Sequence, residues 1–85
     1  MRYNVILDKK AEADILKTPK ANAVQIARAI EQRLVVDPVR LGKPLQYELK
    51  GFKRLRIGDW RVIYKVEGNT VTVYRIVLRR DAYND

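Results

Sequence analysis

The 85-residue chain has no cysteine and no histidine, and it holds only one tryptophan, one phenylalanine and three prolines. Without cysteine there is neither a disulfide framework nor a thiolate metal site, so packing alone must hold the domain together. Without histidine the commonest general acid/base, the commonest metal ligand and every Ser-His or Cys-His nucleophile pair are excluded. Any catalysis must run on Arg, Lys, Tyr, Asp or Glu. A Gly-rich phosphate loop, a cluster with metal-ligand spacing and carboxylates paired near aromatic residues are also missing. No metal and no cofactor are therefore expected. No apolar run approaches the roughly 20 residues of a membrane span, and Met1-Arg2-Tyr3-Asn4 does not open a signal peptide. The expectation is a cytoplasmic protein with no membrane partner.

Positive charge is what the chain has in excess. Eighteen Lys and Arg against 10 Asp and Glu leave a net charge of +8. Residues 1–38 contribute seven basic and five acidic side chains, residues 39–85 eleven and five, so the second half is the basic one. Such a balance speaks to partners rather than to fold, and nucleic acid is the commonest polyanionic partner. A basic surface that serves only solubility is the competing reading. The hydrophobic fraction of 47% suits a folded core, and the length suits one domain covering residues 1–85.

Tyr3 to Leu7 reads as a short strand, and Asp8 offers an N-cap oxygen to a helix over Lys9–Lys17 with Ala11, Ile15 and Leu16 inward. Thr18-Pro19 interrupts it. A second helix over about Lys20–Val35 carries Ala23, Ile26, Ala27, Ile30 and Leu34 along one face, and Asp37-Pro38 ends it. Val39 to Pro44 is a connection. Beyond it the period changes to two: Leu55 and Ile57 alternate with Arg54 and Arg56, then Trp60, Val62, Tyr64 and Val66 with Arg61, Ile63 and Lys65, with turns at Gly58-Asp59 and Gly68-Asn69. Thr70–Val77 is the last strand, followed by a polar tail. The order β-α-α-β-β-β predicts an α+β fold, an antiparallel sheet with a helical hairpin on one face.

Strand parity locates the chemistry. If the apolar set faces the helices, Arg54, Arg56, Arg61 and Lys65 face away, joined from the C-terminal end by Arg79, Arg80 and Tyr83. Guanidinium forks on an open sheet face match phosphate oxygens, and a tyrosine offers a surface on which an unpaired base stacks. Lys53 and Lys50 could supply a base, although parity puts Lys53 on the helix side. Tyr64 and Trp60 read as core. Across a two-residue Gly68-Asn69 loop, Arg75 falls with Val62 and Val73 on the covered side, which places it at a sheet margin or beside a bulge with no functional assignment. Asp8, Glu12 and Asp14 read as a solvated helix N-terminus, where acids favour the dipole, and the minor alternative for Arg61 is a structural ion pair with Asp59 or Glu48, a kind of surface pair that is common but weak.

Over Leu49 to Tyr83 the sequence resembles the RelE/ParE superfamily of toxins from toxin–antitoxin pairs. The residues are Leu49-Lys50-Gly51, then Arg54-Leu55-Arg56-Ile57-Gly58-Asp59-Trp60-Arg61-Val62-Ile63-Tyr64, then Arg79-Arg80-Asp81-Ala82-Tyr83. The family's pattern is a leucine-glycine approach, an R-L-R-x-G-D-Y-R-V-I-Y core and a final H-R-R-x-x-Y. The element order agrees as well.

The resemblance implies a RelE-like microbial RNase fold and a metal-independent endoribonuclease that cuts messenger RNA in the A site of the 70S ribosome, against 16S rRNA. It also implies a cognate antitoxin. By the same resemblance Arg61 stabilises the phosphate, Arg79 protonates the leaving oxygen, Tyr83 stacks on or orients the base, and Arg54 stands where RelE proper has a lysine proposed as base. Arg56, Lys53, Lys65 and Arg80 are the further substrate-binding candidates. Arginine is a poor base, and Leu78 stands where many relatives carry histidine, so electrostatic stabilisation and alignment are expected to outweigh proton abstraction. Two other functions compete: the ParE branch, which poisons DNA gyrase by protein contact, and a non-catalytic nucleic-acid-binding relative.

Overall fold

The computed structural model describes residues 2–45 and 50–78. Strand β1 (Asn4–Leu7) leads into helices α1 (Lys9–Lys17) and α2 (Lys20–Ala29), the latter extended by a wide π-helical turn over Ile30–Leu34. A short helix α3 (Pro38–Leu41) and the two-residue strand β2 (Lys43–Pro44) follow, then β3 (Lys53–Ile57), β4 (Trp60–Glu67) and β5 (Thr70–Leu78). The five strands lie in the order β1-β5-β4-β3-β2. The α+β class and the helical hairpin agree with the sequence reading.

Four details depart from it. β1 runs parallel to β5, Asn4 opposite Thr70 through Leu7 opposite Val73, so the sheet is mixed rather than antiparallel. The helical half of the chain separates these two strands, and a long connection leaves the sense of pairing free, unlike the two-residue turns that force β3, β4 and β5 to alternate. The expected connection over Val39–Pro44 contains α3, which Pro38 starts from its first turn, and β2, which extends the sheet opposite Lys53 and Arg54. Leu16 is 85% exposed instead of packed, and on α2 Ala29 is buried where Ala27 was expected.

Asp8 caps α1 as expected, its side chain accepting from the Lys10 N–H at 3.2 Å. Ala11, Ile26, Ala29 and Leu34 from the helices meet Leu55, Ile57, Val62, Tyr64, Val71, Val73 and Ile76 from the sheet in one core, with Trp60 packed at its edge. Tyr64 is the largest fully buried side chain, and its hydroxyl donates to the Pro38 carbonyl at 2.6 Å. Burial pushes its pKa up to about 12, against the lowering effect of a backbone hydrogen bond from Gly42 and with a further upward push from Asp37. A Cβ at Gly42 would lie 2.7 Å from the Tyr64 Cζ and collide with its hydroxyl, so glycine is required there by close approach. Gly68 turns the β4–β5 hairpin at φ +59°, a conformation L side chains rarely adopt.

Asp14 is not a solvated helix residue. Its carboxylate accepts from the Arg75 guanidinium at 2.8 and 3.2 Å and from the Ile76 backbone N–H at 2.8 Å. β1 ends opposite Val73, so Asp14 satisfies a β5 edge amide beyond the point where β1 stops. Partial burial would raise this carboxyl, but the hydrogen bonds from Arg75 and Ile76 and the charges of Arg75 and Lys17 outweigh it and hold the group below its ordinary 3.8. A carboxylate with a lowered folded pKa contributes stability above its unfolded pKa and loses it as pH falls through the folded one.

Asp14→Asn should therefore destabilise the protein by about 1–2 kcal/mol at neutral pH, after discount for the solvent-exposed part of Arg75. In urea titrations the gap from the parent should close as pH drops below about 4, and a gap constant down to pH 2 would show that the ionised carboxylate is not the origin. Gly42→Ala should lose about 1–3 kcal/mol by overpacking, and Tyr64→Phe in the same background should recover part of that loss.

Candidate functional site

The β3–β4 turn at Gly58-Asp59 sets Ile57 opposite Trp60, and the register then runs Arg56–Arg61, Leu55–Val62, Arg54–Ile63 and Lys53–Tyr64. Residues opposite one another share a face. With Leu55, Val62 and Tyr64 in the helix-side core, the far side receives Arg56 beside Arg61, and Arg54 beside Ile63. Lys43 on β2 lies opposite Arg54 and extends that row. Two guanidinium groups directly across a strand pair repel in the free protein, by roughly 0.2–1 kcal/mol where exposed. An anion set between them removes that cost.

On β5 the register shifts. Tyr64 faces Val73 but Ile63 faces Arg75, which leaves Tyr74 as an extra residue in a bulge. The shift carries Arg75 to the far side, in the Arg54–Ile63 row, and keeps both Val73 and Ile76 in the core. Tyr74 packs edge-on against Phe52, ring centroids 4.9 Å apart at 84°. The Lys65 ammonium lies 5.8 Å from the Phe52 centroid and 3.9 Å from Glu67 Oε2. This aromatic pair with its cation offers a stacking surface at one end of the arginine rows.

The structure thus brings Arg54, Arg56, Arg61 and Lys65 to one face, as parity predicts. Lys53 does not join them: it lies opposite Tyr64, and its Cβ sits beside Gly42 on the helix side, so it is removed from the substrate-binding set. Arg79, Arg80 and Tyr83 lie outside the described residues, as does Glu48. The face is also not open along its middle. Arg61 is 7% and Ile63 4% exposed, because β4 is the central strand and long side chains flank it on β3 and β5. Arg54 is half-buried and Arg56 exposed. Arg61 is therefore a packed residue whose charge acts in a low-dielectric setting, not a surface residue of little structural weight.

Sequence reading missed the Phe52–Tyr74–Lys65 group and the role of Arg75. Phe52 precedes β3 and its parity was legible, but Tyr74 and Arg75 depend on a bulge that leaves no mark in the alternation before Arg75. Among the described residues no cluster of acidic side chains is placed to hold a metal ion. No described helix is long and apolar enough to cross a membrane.

Residues 5–83 match the family described as the ParE toxin of type II toxin–antitoxin system, parDE. The chain is similar to Toxin RelG of Mycobacterium tuberculosis, 33% identical over 85 residues covering 98% of both chains. Toxin RelE of the same organism is 31% identical over 83 residues, covering 95% of this chain and 86% of the relative. Among solved structures, the toxin–antitoxin complex RelBE2 from Mycobacterium tuberculosis contains a chain that superposes with a TM-score of 0.88 at 30% identity, covering 93% of this chain and all of that one.

Burial separates the two opposed arginines in a measurable way. Arg56→Ala should leave stability within about 0.5 kcal/mol of the parent or raise it by relieving repulsion. Arg61→Ala removes a buried side chain and should cost about 1–3 kcal/mol. Thermal denaturation should then show the Arg61 variant lower by about 4–8 °C per kcal/mol; equal melting temperatures for the two variants would contradict the burial.

Proposed function

The chain belongs to the RelE/ParE superfamily of toxins from type II toxin–antitoxin systems, and from that premise we propose that it is a metal-independent endoribonuclease that cleaves messenger RNA in the ribosomal A site. The observation that carries this reading is the cross-strand pair Arg56–Arg61 with Arg54 in the adjoining row. Protein–protein poisoning of gyrase needs no phosphate cradle, whereas a phosphodiester in transit needs fixed positive charge where its own negative charge develops.

In the proposed reaction a ribose 2′-oxygen attacks the adjacent phosphorus. The new O–P bond closes a 2′,3′-cyclic phosphate, the bond to the 5′-oxygen breaks, the 2′-hydroxyl proton departs and the 5′-oxygen gains one. Arg61 is assigned to the phosphate, Arg79 to proton delivery at the leaving oxygen, and Tyr83 to the base. Arg54, Arg56, Lys65 and Arg80 hold the RNA backbone, and the Phe52–Tyr74 pair is a further stacking surface. Arginine cannot serve as a base at neutral pH, so Arg54 grips rather than deprotonates. Alignment of the 2′-hydroxyl is left largely to the ribosome, and turnover on free RNA should be negligible.

The solved relative is a toxin–antitoxin complex, and a cognate antitoxin is the protein partner proposed for this chain. The ParE branch is the second reading, favoured by the family description that residues 5–83 match.

Primer extension on cellular mRNA after expression separates the two. Cuts inside translated codons are expected; intact mRNA with induced DNA damage would replace the nuclease by a gyrase poison. On programmed ribosomes, Arg61→Lys keeps charge and most of the buried volume but loses the fork, and cleavage should fall about 10²–10³-fold, as when one transition-state donor is lost. The single-turnover rate should show no inflection between about pH 6 and 8, where a matched general base would titrate. A steep inflection there would mean that a lysine takes the proton.

A further inference from the structure

The chain's one tryptophan is not wholly enclosed by the core. Trp60 opens β4, lies half-buried at the margin of the core, and forms one wall of a cavity of about 420 Å³. The end of α1, with Lys17, and residues 75–78 of β5 form the other described walls. Arg54, Arg56 and Arg61 are not among the residues that line it, so this cavity is separate from the arginine rows.

Two backbone groups at the cavity edge are placed by strand alternation. The Ile76 N–H points away from β4, since it donates to Asp14 Oδ2 at 2.8 Å. In a strand the N–H and C=O of one residue point to the same side, and the side alternates from residue to residue. The Ile76 C=O and the Leu78 N–H therefore also point away from β4, an acceptor and a donor on either side of Val77. Among the described strands β5 has only β1 and β4 as neighbours, and β1 ends opposite Val73. No described strand takes this pair.

We infer that this cavity binds a purine nucleotide. The base lies against the Trp60 ring, which supplies stacking. The Watson–Crick edge of adenine carries an N6–H donor beside its N1 acceptor, complementary to the Ile76 C=O and the Leu78 N–H. Arg75 neutralises the Asp14 carboxylate at 2.8 Å, so the cation that takes the phosphate is Lys17, exposed at the end of α1. The volume lies within the range of formed small-molecule sites, about 300–1,000 Å³. A peptide strand would use the same two backbone groups. The Asp14 carboxylate, however, already holds the next donor, the Ile76 N–H, and stops such a pairing from running on along β5. The site stands apart from the cleavage chemistry and is the same in a gyrase poison as in a nuclease.

Trp60 is its own reporter. Fluorescence of the full chain, excited beyond the tyrosine band, is titrated with AMP, which should quench it saturably with a Kd of about 0.1–1 mM. Purine riboside 5′-monophosphate keeps ring and phosphate but lacks the N6 amino donor, and should bind about threefold to tenfold more weakly. Because that change is in the ligand, no folding defect imitates it. Lys17→Gln should weaken AMP by a similar factor and leave adenosine within about twofold. Lys10→Gln, the same charge loss at the start of α1, should leave both within about twofold. A quench that does not saturate by about 10 mM would overturn the proposal, as would equal affinities for AMP and the riboside monophosphate. So would a short valine-threonine peptide that quenches Trp60 at lower concentration than AMP, since the edge would then be a strand-pairing site. A triadenylate that quenches at lower concentration than AMP supports the site and assigns its base to an RNA strand; one that does no better supports it and assigns the base to a free nucleotide.

Discussion

The bulge at Tyr74 is the feature on which the rest of the molecule depends. Without it β5 would keep strict alternation from Val71, and Val71, Val73 and Arg75 would share the helix side while Ile76 turned outward. The extra residue resets the pleat, so Val73 and Ile76 both enter the core and Arg75 leaves it. Arg75 then reaches Asp14, and Asp14 satisfies the Ile76 amide where β1 no longer covers β5. One inserted residue thus completes the core, ties α1 to the sheet and fills a row of the arginine face. A one-residue slip anywhere between β4 and β5 would undo all three at once.

The parts of this arrangement that were legible in the sequence are those fixed by local rules. Gly58-Asp59 and Gly68-Asn69 are two-residue turns with positive φ at the glycine, and they set register by themselves. From register, parity follows, and from parity the common face of Arg54, Arg56, Arg61 and Lys65. The reading failed where long-range contacts decide. Nothing near β1 says that it will pair in parallel with β5. Nothing in the spacing of α1 says that Leu16 is left outside while Asp14 is drawn in. Parity gives the direction of Arg61 but not its depth, which depends on being central in the sheet between large neighbours. Arg75 had two explanations from sequence, a margin or a bulge, and the structure shows both: a bulge precedes it and the uncovered edge of β5 lies beside it.

A chain without histidine that gathers arginines on a sheet has chosen fixed charge over titratable chemistry. Arginine stays protonated across the whole physiological range, so such a face has the same potential at pH 6 as at pH 8. It stabilises a developing phosphorane charge without reorganisation, but it supplies no base. The missing function has to come from geometry, through a substrate already bent into line. That is a physical reason for a small toxin to act on RNA held by a larger machine. On the proposed reading the protein contributes charge and shape, and the ribosome contributes substrate conformation.

The same charge is a burden on the isolated domain. With a net +8 on 85 residues, self-repulsion opposes the compact state, and the Arg56–Arg61 pair concentrates it across one strand junction. The Asp14–Arg75 pair offsets part of this by neutralising one arginine in the row while securing the strand edge. Arg56 remains exposed near the end of β3, at the margin of the arginine face. Any anionic partner that reaches Arg56 relieves repulsion in addition to making its own contacts, and by linkage its binding stabilises the fold.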